Sequence, residues 1–204
     1  LLFLIFVFSF SIVCCRTTKL SNADKDQING HLAWIMQGNI YEVNVRQYTP
    51  EGTFNAFAKH LDRLKAMGVE TIWFMPINPI SKLDRKGSLG SYYAVSDYTA
   101  INPEFGTMDD FKKIVKTIHD KGMKVLIDWV PNHAGADHRW ITDHPDFFVK
   151  DNSGKAAVAF DWADTRQLDY KNPVMQDSMI AAMKFWVKDT NIDGFRCDVA
   201  WNVP

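Results

Sequence analysis

Three times along this chain an amphipathic helical stretch meets a stop signal and then a short strand that is apolar on both faces. The first helical stretch is "TFNAFAKHLDRLKAMG". Thr53 is placed to cap it, Phe54, Phe57, Leu61 and Leu64 recur at helical spacing, and Gly68 stops it. The strand "VETIWFM" follows, up to Pro76. The second stretch, "GTMDDFKKIVKTIHDKG", has Thr107 as N-cap, Asp110 three residues on, an apolar stripe of Phe111, Ile114, Val115 and Ile118, and Gly122 as its end. Its strand is "MKVLIDWV", closed by Pro131. The third helix runs from about Pro173 through "VMQDSMIAAMKFWVKDT" into the strand "IDGFRCDVA", and "NIYEVNVRQY" predicts an earlier strand.

Apolar strands alternating with helices specify a parallel sheet of right-handed β-α-β units. A doubly wound open sheet and a (β/α)8 barrel both satisfy that pattern. No glycine-rich phosphate loop follows the first strand, which removes support from the nucleotide-binding version of the open sheet. Polar residues instead collect where strands end: Asn132 and His133 after one, Asp198 after the next. Barrels gather their functional groups there. The expected fold is therefore an α/β, (β/α)8 TIM barrel, present here as about its first four β/α units.

The strand "GFRCDVA" carries an anomaly. Side chains alternate along a strand, so Arg196 and Asp198 share one face while Phe195, Cys197 and Val199 share the other. A guanidinium and a carboxylate aimed at one spot form either a structural ion pair or a functional site. Cys197, the only cysteine beyond the N-terminal region, is expected on the packing face as a small hydrophobe.

Between "NHAG" and the third helix lie about 40 residues without the β/α rhythm. Loops of that length are usually functional or form a small subdomain. Trp140, Phe147, Phe148, Phe160 and Trp162 offer it a minor core of its own. The expected boundaries are barrel strands 1–3 over residues 21–134, an insertion over 135–172, and helix 3 with strand 4 over 173–204.

The N-terminus is a separate matter. "LLFLIFVFSFSIVCC" is almost wholly apolar for 15 residues and then turns polar. That is short for a bilayer-spanning helix and fits the apolar core of an export signal, assigned to residues 1–20. Cys14 or Cys15 stands where a lipoprotein signal carries its lipidated cysteine, although Ile12 and Val13 suit that motif poorly. A cleaved signal and a lipid anchor on the membrane both stay open, and either places the protein outside the cytoplasm, whether secreted, periplasmic or on the cell surface. Over the full 204 residues, 47% hydrophobic content, 23% charged residues and a net charge of -1 suggest neither a disordered protein nor a nucleic-acid binder. Aromatic residues reach 13%, seven of them Trp, which suits a core and also a site that stacks on sugar rings.

Taken together and in this order, "SYYAVSDYTAINPEFGT" (91–107), "DWVPNH" (128–133) and "GFRCDVA" resemble the alpha-amylase family, glycoside hydrolase family 13, which also carries a B domain as an insertion after its third strand. The resemblance implies a retaining glycosidase acting on alpha-glucosidic bonds of alpha-glucans or oligosaccharides. It implies Asp198 as the nucleophile, Arg196 as the arginine beside it, His133 as a ligand of the sugar at the cleavage position, and Tyr93 as the ring beneath that sugar. Tyr92 is the neighbouring packing alternative. Asp128 matches a structural aspartate of the site, and Asn132 a position that ligates calcium in many members, so calcium is the one cofactor implied. A cation beside a carboxylate favours its charged form, which is what a nucleophile in a partly desolvated pocket requires.

Three departures bear on these expectations. Gln167 stands where many relatives carry an aspartate, and Trp201 with Asn202 replaces a Lys-His pair common in starch-cleaving members. The family's general acid, a Glu after the next strand, lies past Pro204, so the chain by itself is expected to be inactive. His133, His138 and His144, interspersed with Asp137, Asp143 and Asp146, could suggest zinc, but lack a ligand pair at helical spacing and are better explained as a solvated acidic loop. Two rivals remain: a transglycosylase or sugar isomerase using the same intermediate, and a non-catalytic glycan-binding relative.

Overall fold

In a computed structural model, residues 27–204 are described. The proposed export signal, with Cys14 and Cys15, lies outside them. The chain divides into two compact units, with the division after Gly38. The described part of the first holds an antiparallel pair, β1 (Gln27–Ile28) and β2 (His31–Leu32), and the short helix α1 (Ala33–Gln37).

The second unit is built on a four-stranded parallel sheet. Its strands are β3 (Ile40–Val43), β4 (Thr71–Phe74), β5 (Lys124–Trp129) and β8 (Gly194–Cys197), side by side in that order. All four were anticipated as strands; β8 stops at Cys197, with Asp198 and Val199 in a turn instead of on its two faces, and the first strand is shorter than its sequence suggests. Asn44 breaks it: the Asn44 side chain accepts from the Gln47 N–H and caps a helical turn, α2 (Val45–Tyr48).

The first predicted helix is two helices, α3 (Phe54–Ala58) and α4 (Leu61–Ala66). Between them the N–H groups of Lys59 and His60 reach back only three residues, to Ala56 and Phe57, which tightens the turn. The apolar stripe survives, because Phe54, Phe57, Leu61 and Leu64 are all fully buried. Helix α5 (Met108–Asp120) starts at the expected capping box, with Thr107 accepting from the Asp110 N–H and Asp110 from that of Thr107. Helix α7 (Pro173–Thr190) is capped by Asn172.

Strand alternation sorts the sheet into two faces. Val43, Ile72, Phe74, Val125, Ile127 and Trp129 are buried on the helix side against Phe54, Phe57 and Phe111. Rings meet edge-on at 5.6 Å (Phe57–Phe74), 6.0 Å (Phe54–Phe74) and 5.8 Å (Phe111–Trp186). The opposite face carries Glu42, Trp73, Leu126, Asp128 and Arg196, with Asp128 and Arg196 in direct register across β5 and β8. A side chain at Gly194 would meet Leu126 at 3.2 Å, so this face is closely packed where those two strands meet.

Cys197 departs from expectation: it is exposed. It points to the helix side, but β8 is the last strand of the described sheet and nothing described pairs with its outer edge.

The insertion is ordered around a second small sheet, β6 (His133–Gly135) antiparallel to β7 (Thr165–Gln167), with the short helix α6 (Trp140–Asp143) between them. It does not form a separate minor core. Trp140, Phe147 and Phe148 join the main core, whereas Phe160 is exposed and Trp162 only half-buried. Gly135 has to be glycine for steric reasons: a Cβ there would lie 2.7 Å from Ser81 Cβ and 2.8 Å from the Ala94 carbonyl oxygen. The "solvated loop" expectation also fails in part. His144, Asp143 and Asp146 are exposed, but His133 and His138 are each 1% exposed.

Candidate active site

The sequence anomaly in β8 becomes a three-residue cluster. Arg196 Nη1 donates to Asp198 Oδ1 at 2.9 Å and to both oxygens of Asp128 at 3.2 Å. Asp128 is fully buried. It also accepts from Trp73 Nε1 at 3.2 Å and the Tyr93 hydroxyl at 3.4 Å. Burial pushes the Asp128 carboxyl up to about 6, against the pull of Arg196 in the other direction. The guanidinium in turn lies over the Trp73 ring, 5.0 Å from its centre. The sequence reading paired Arg196 with Asp198 alone. The cross-strand register brings Asp128 to the same nitrogen, and Trp73 was not anticipated at all.

Asp198 leaves the strand as the backbone turns. Its N–H bonds the Trp129 carbonyl at 2.7 Å, and the next residue, Val199, adopts left-handed torsions (φ 48, ψ 33). A β-branched residue is strained there, and strain of this kind concentrates at functional sites. The turn directs Asp198 into a cavity of about 330 Å³ that it shares with Tyr93, His133, Trp162, Asp164 and Lys86.

Four pieces of chain meet at this cavity. Tyr93 and Lys86 come from the long connection between β4 and α5, His133 from the start of β6, Trp162 and Asp164 from the insertion, and Asp198 from the end of β8. Tyr92 turns away: its hydroxyl donates to Asn44 and its ring packs near Phe105. Burial and the adjacent Asp128 carboxylate raise the Tyr93 phenol, so it stays protonated as a hydrogen-bond donor. His133 packs 5.1 Å from the Trp162 ring, and burial lowers its pKa, favouring the neutral ring. Its Nε2 and Asp164 Oδ2 are buried without a protein partner. Both atoms belong to residues of the cavity wall, and a buried polar atom left unpaired is costly, so a ligand that both donates and accepts hydrogen bonds would suit this wall. Asp164, whose other oxygen is 3.4 Å from Lys86 Nζ, and Trp162 were missed as site residues, because nothing local in "FDWADT" marks them.

Asn132 is fully buried beside His133, but its surroundings do not fit a calcium ion. Its side-chain oxygen accepts from Asn202 Nδ2 at 2.7 Å and Gln167 Nε2 at 3.2 Å, and its backbone carbonyl accepts from the same Gln167 nitrogen at 2.9 Å. N–H donors point where a cation would have to sit, and calcium prefers anionic and neutral oxygens. Among the described residues no group of three His, Cys, Asp or Glu side chains could hold a metal ion.

Fold and site together define a parallel β/α protein that collects a carboxylate–guanidinium cluster at its strand ends, under the lip of an inserted loop. The model for the alpha-amylase catalytic domain matches residues 16–203, and the chain belongs to that family, whose catalytic domain is a (β/α)8 barrel. A trehalose synthase from Pimelobacter sp. is 32% identical over 88% of this chain and 37% of its own length. An alpha-amylase structure from Lactobacillus plantarum superposes with a TM-score of 0.79 at 42% identity, covering 82% of this chain and 39% of that one. For the maltogenic alpha-amylase AmyB from Thermotoga neapolitana the values are 0.75 and 43%, with 81% and 39% covered. The chain thus spans less than two fifths of the length of these relatives.

Proposed function

We propose that this chain forms part of a glycosidase that cleaves alpha-glucosidic bonds of alpha-glucans or oligosaccharides with retention of configuration. The observation that carries the reading is the Arg196–Asp198 contact at 2.9 Å, at a strand end that opens into the cavity holding Tyr93 and His133. In this reading Asp198 attacks the anomeric carbon and forms a glycosyl ester as the leaving oxygen takes a proton. Arg196 neutralises the carboxylate in the ground state and fixes the oxygen that attacks. Tyr93 stacks under the sugar, and His133 Nε2 donates to one of its hydroxyls. Water then takes the sugar from Asp198. Retention needs a second, protonated carboxyl roughly 5–5.5 Å from the nucleophile, and we assign it to a Glu of the whole protein outside this sequence.

Asp198→Asn in the whole protein tests the reading. Turnover of an alpha-glucoside should fall to the detection limit while oligosaccharide binding persists, and unchanged turnover would remove Asp198 from the mechanism. A second reading keeps the glycosyl ester but passes it to a sugar instead of water. The trehalose synthase relative favours it, and analysis of products from maltose separates the two.

Export belongs to the same proposal and rests on the apolar run at residues 1–15. Fractionation of cells making the whole protein, with and without that run, would place it, and labelling with a radioactive fatty acid would separate a lipid anchor at Cys14 or Cys15 from a cleaved signal.

A further inference from the structure

Gln167 Nε2 stands in the middle of three oxygens. It lies 2.9 Å from the Asn132 carbonyl, 3.2 Å from Asn132 Oδ1 and 3.3 Å from the Leu168 carbonyl. Two of these are backbone carbonyls, which can only accept, so the group facing them must be the NH2 end of the amide. A convergent set of neutral oxygens around one point is the arrangement by which proteins hold hard cations. Here a side-chain nitrogen holds that point.

The consequence runs one residue further. With its Oδ1 turned to Gln167 and Asn202, the Asn132 carboxamide presents Nδ2 to His133 Nδ1 at 3.1 Å. An NH2 group donates, so His133 Nδ1 accepts and the ring proton resides on Nε2. The same amide ties β7 to the chain leaving β5, because Gln167 closes β7 and Asn132 directly follows Pro131.

We propose that the Gln167 amide takes the place of a divalent cation at the root of the insertion and is a positioning residue that, through Asn132, fixes His133 as an Nε2–H donor. The inference deepens the reading of the cavity as a sugar site in one respect, the donor role of His133. Its test reads a metal response and a ring tautomer, which stand whether or not the cavity binds sugar.

The first arm is the thermal midpoint of the whole protein with chelator or with calcium chloride. The wild-type midpoint should not move with either. Gln167→Asp retracts the side chain by one methylene, replaces the donor with a carboxylate and leaves room for an ion among the three oxygens. Its midpoint should drop in chelator and recover by about 5 °C or more with calcium well above its dissociation constant. A wild-type midpoint that falls in chelator and returns with calcium overturns the proposal. So does a folded Gln167→Asp variant that ignores calcium.

The second arm uses Gln167→Leu, which keeps the bulk and removes the donor. Nitrogen NMR of the His133 ring should show one tautomer, protonated at Nε2, in the wild type and a mixture in the variant. The same single tautomer in both would show that Gln167 does not position His133. Should Gln167→Asp fail to fold, the wild-type chelator result and the Leu variant still decide the matter.

Discussion

A single nitrogen of Arg196, Nη1, lies 2.9 Å from Asp198 Oδ1 and 3.2 Å from each oxygen of Asp128. One cation therefore serves two acids in unlike surroundings, one buried beneath the sheet face and one at the rim of the cavity. Replacing Arg196 with Met should lower kcat of the whole protein by about 100-fold or more, the range found when one preorganised charge is removed from a reacting centre. Lys should not restore it, since an ammonium cannot reproduce the planar group that lies over Trp73 while reaching both acids. Steady-state kinetics of the two variants checks this, and full activity of the Lys variant would mean that only the charge matters.

Asp128 makes a pH prediction whose sign runs against the usual carboxylate. Its folded pKa of about 6 lies above the ordinary 3.8, so between those values the folded state holds the proton more tightly than the unfolded one. Its contribution is thus present in full below the ordinary value and is lost as pH rises towards 6, by an amount on the order of 3 kcal/mol. Asp128→Asn should remove that downward slope. Thermal midpoints of wild type and variant across that window, compared as a difference, provide the check.

His138 predicts the opposite slope. Burial first of all lowers its pKa from 6.5 to about 4. The unfolded chain therefore takes up a proton that the folded one refuses, and stability falls as pH drops from 6.5 towards 4. The loss should approach roughly 3 kcal/mol, since one pKa unit corresponds to about 1.4 kcal/mol. His138→Gln should flatten this acid limb relative to wild type, and urea midpoints at several pH values would reveal it.

Gly135→Ala should destabilise by about 1–3 kcal/mol, the usual range for overpacking. The added methyl would press on Ser81 Cβ at 2.7 Å and on two backbone carbonyls at 2.8 and 2.9 Å, which cannot rotate away. The expected drop in thermal midpoint is a few degrees for a protein of this size. An unchanged midpoint would mean that the Ser81–Val95 segment yields freely to β6.

Much of the scaffold was legible because its signals are local. Thr107 and Asp110 cap α5 through bonds spanning three residues, and the spacing of Phe54, Phe57, Leu61 and Leu64 fixed a buried face even though the helix is broken at Lys59. The closeness of Arg196 and Asp198 was legible from their spacing, but not by the route expected: β8 ends at Cys197, and a turn, not strand alternation, brings Asp198 to Arg196. What stayed hidden depends on register and on contacts between distant segments. Asp128 meets Arg196 only because β5 and β8 align residue by residue, and Trp73 joins them from a third strand. Asp164 and Trp162 reach the cavity because the β6–β7 pairing folds residue 165 back beside residue 135, and no local pattern encodes that pairing. Phe160 and Trp162 misled for the same reason. Aromatic residues in a loop point to a core unless the loop is seen to border a cavity.

The cavity wall is assembled from two sources with separate anchorage. Asp198 is held by its N–H bond to Trp129 and by Arg196, whereas Trp162 and Asp164 precede β7, which is fastened to the chain after β5 through Gln167 and Asn132. The insertion side can therefore be lengthened, shortened or repainted without touching the contacts that hold the carboxylate side.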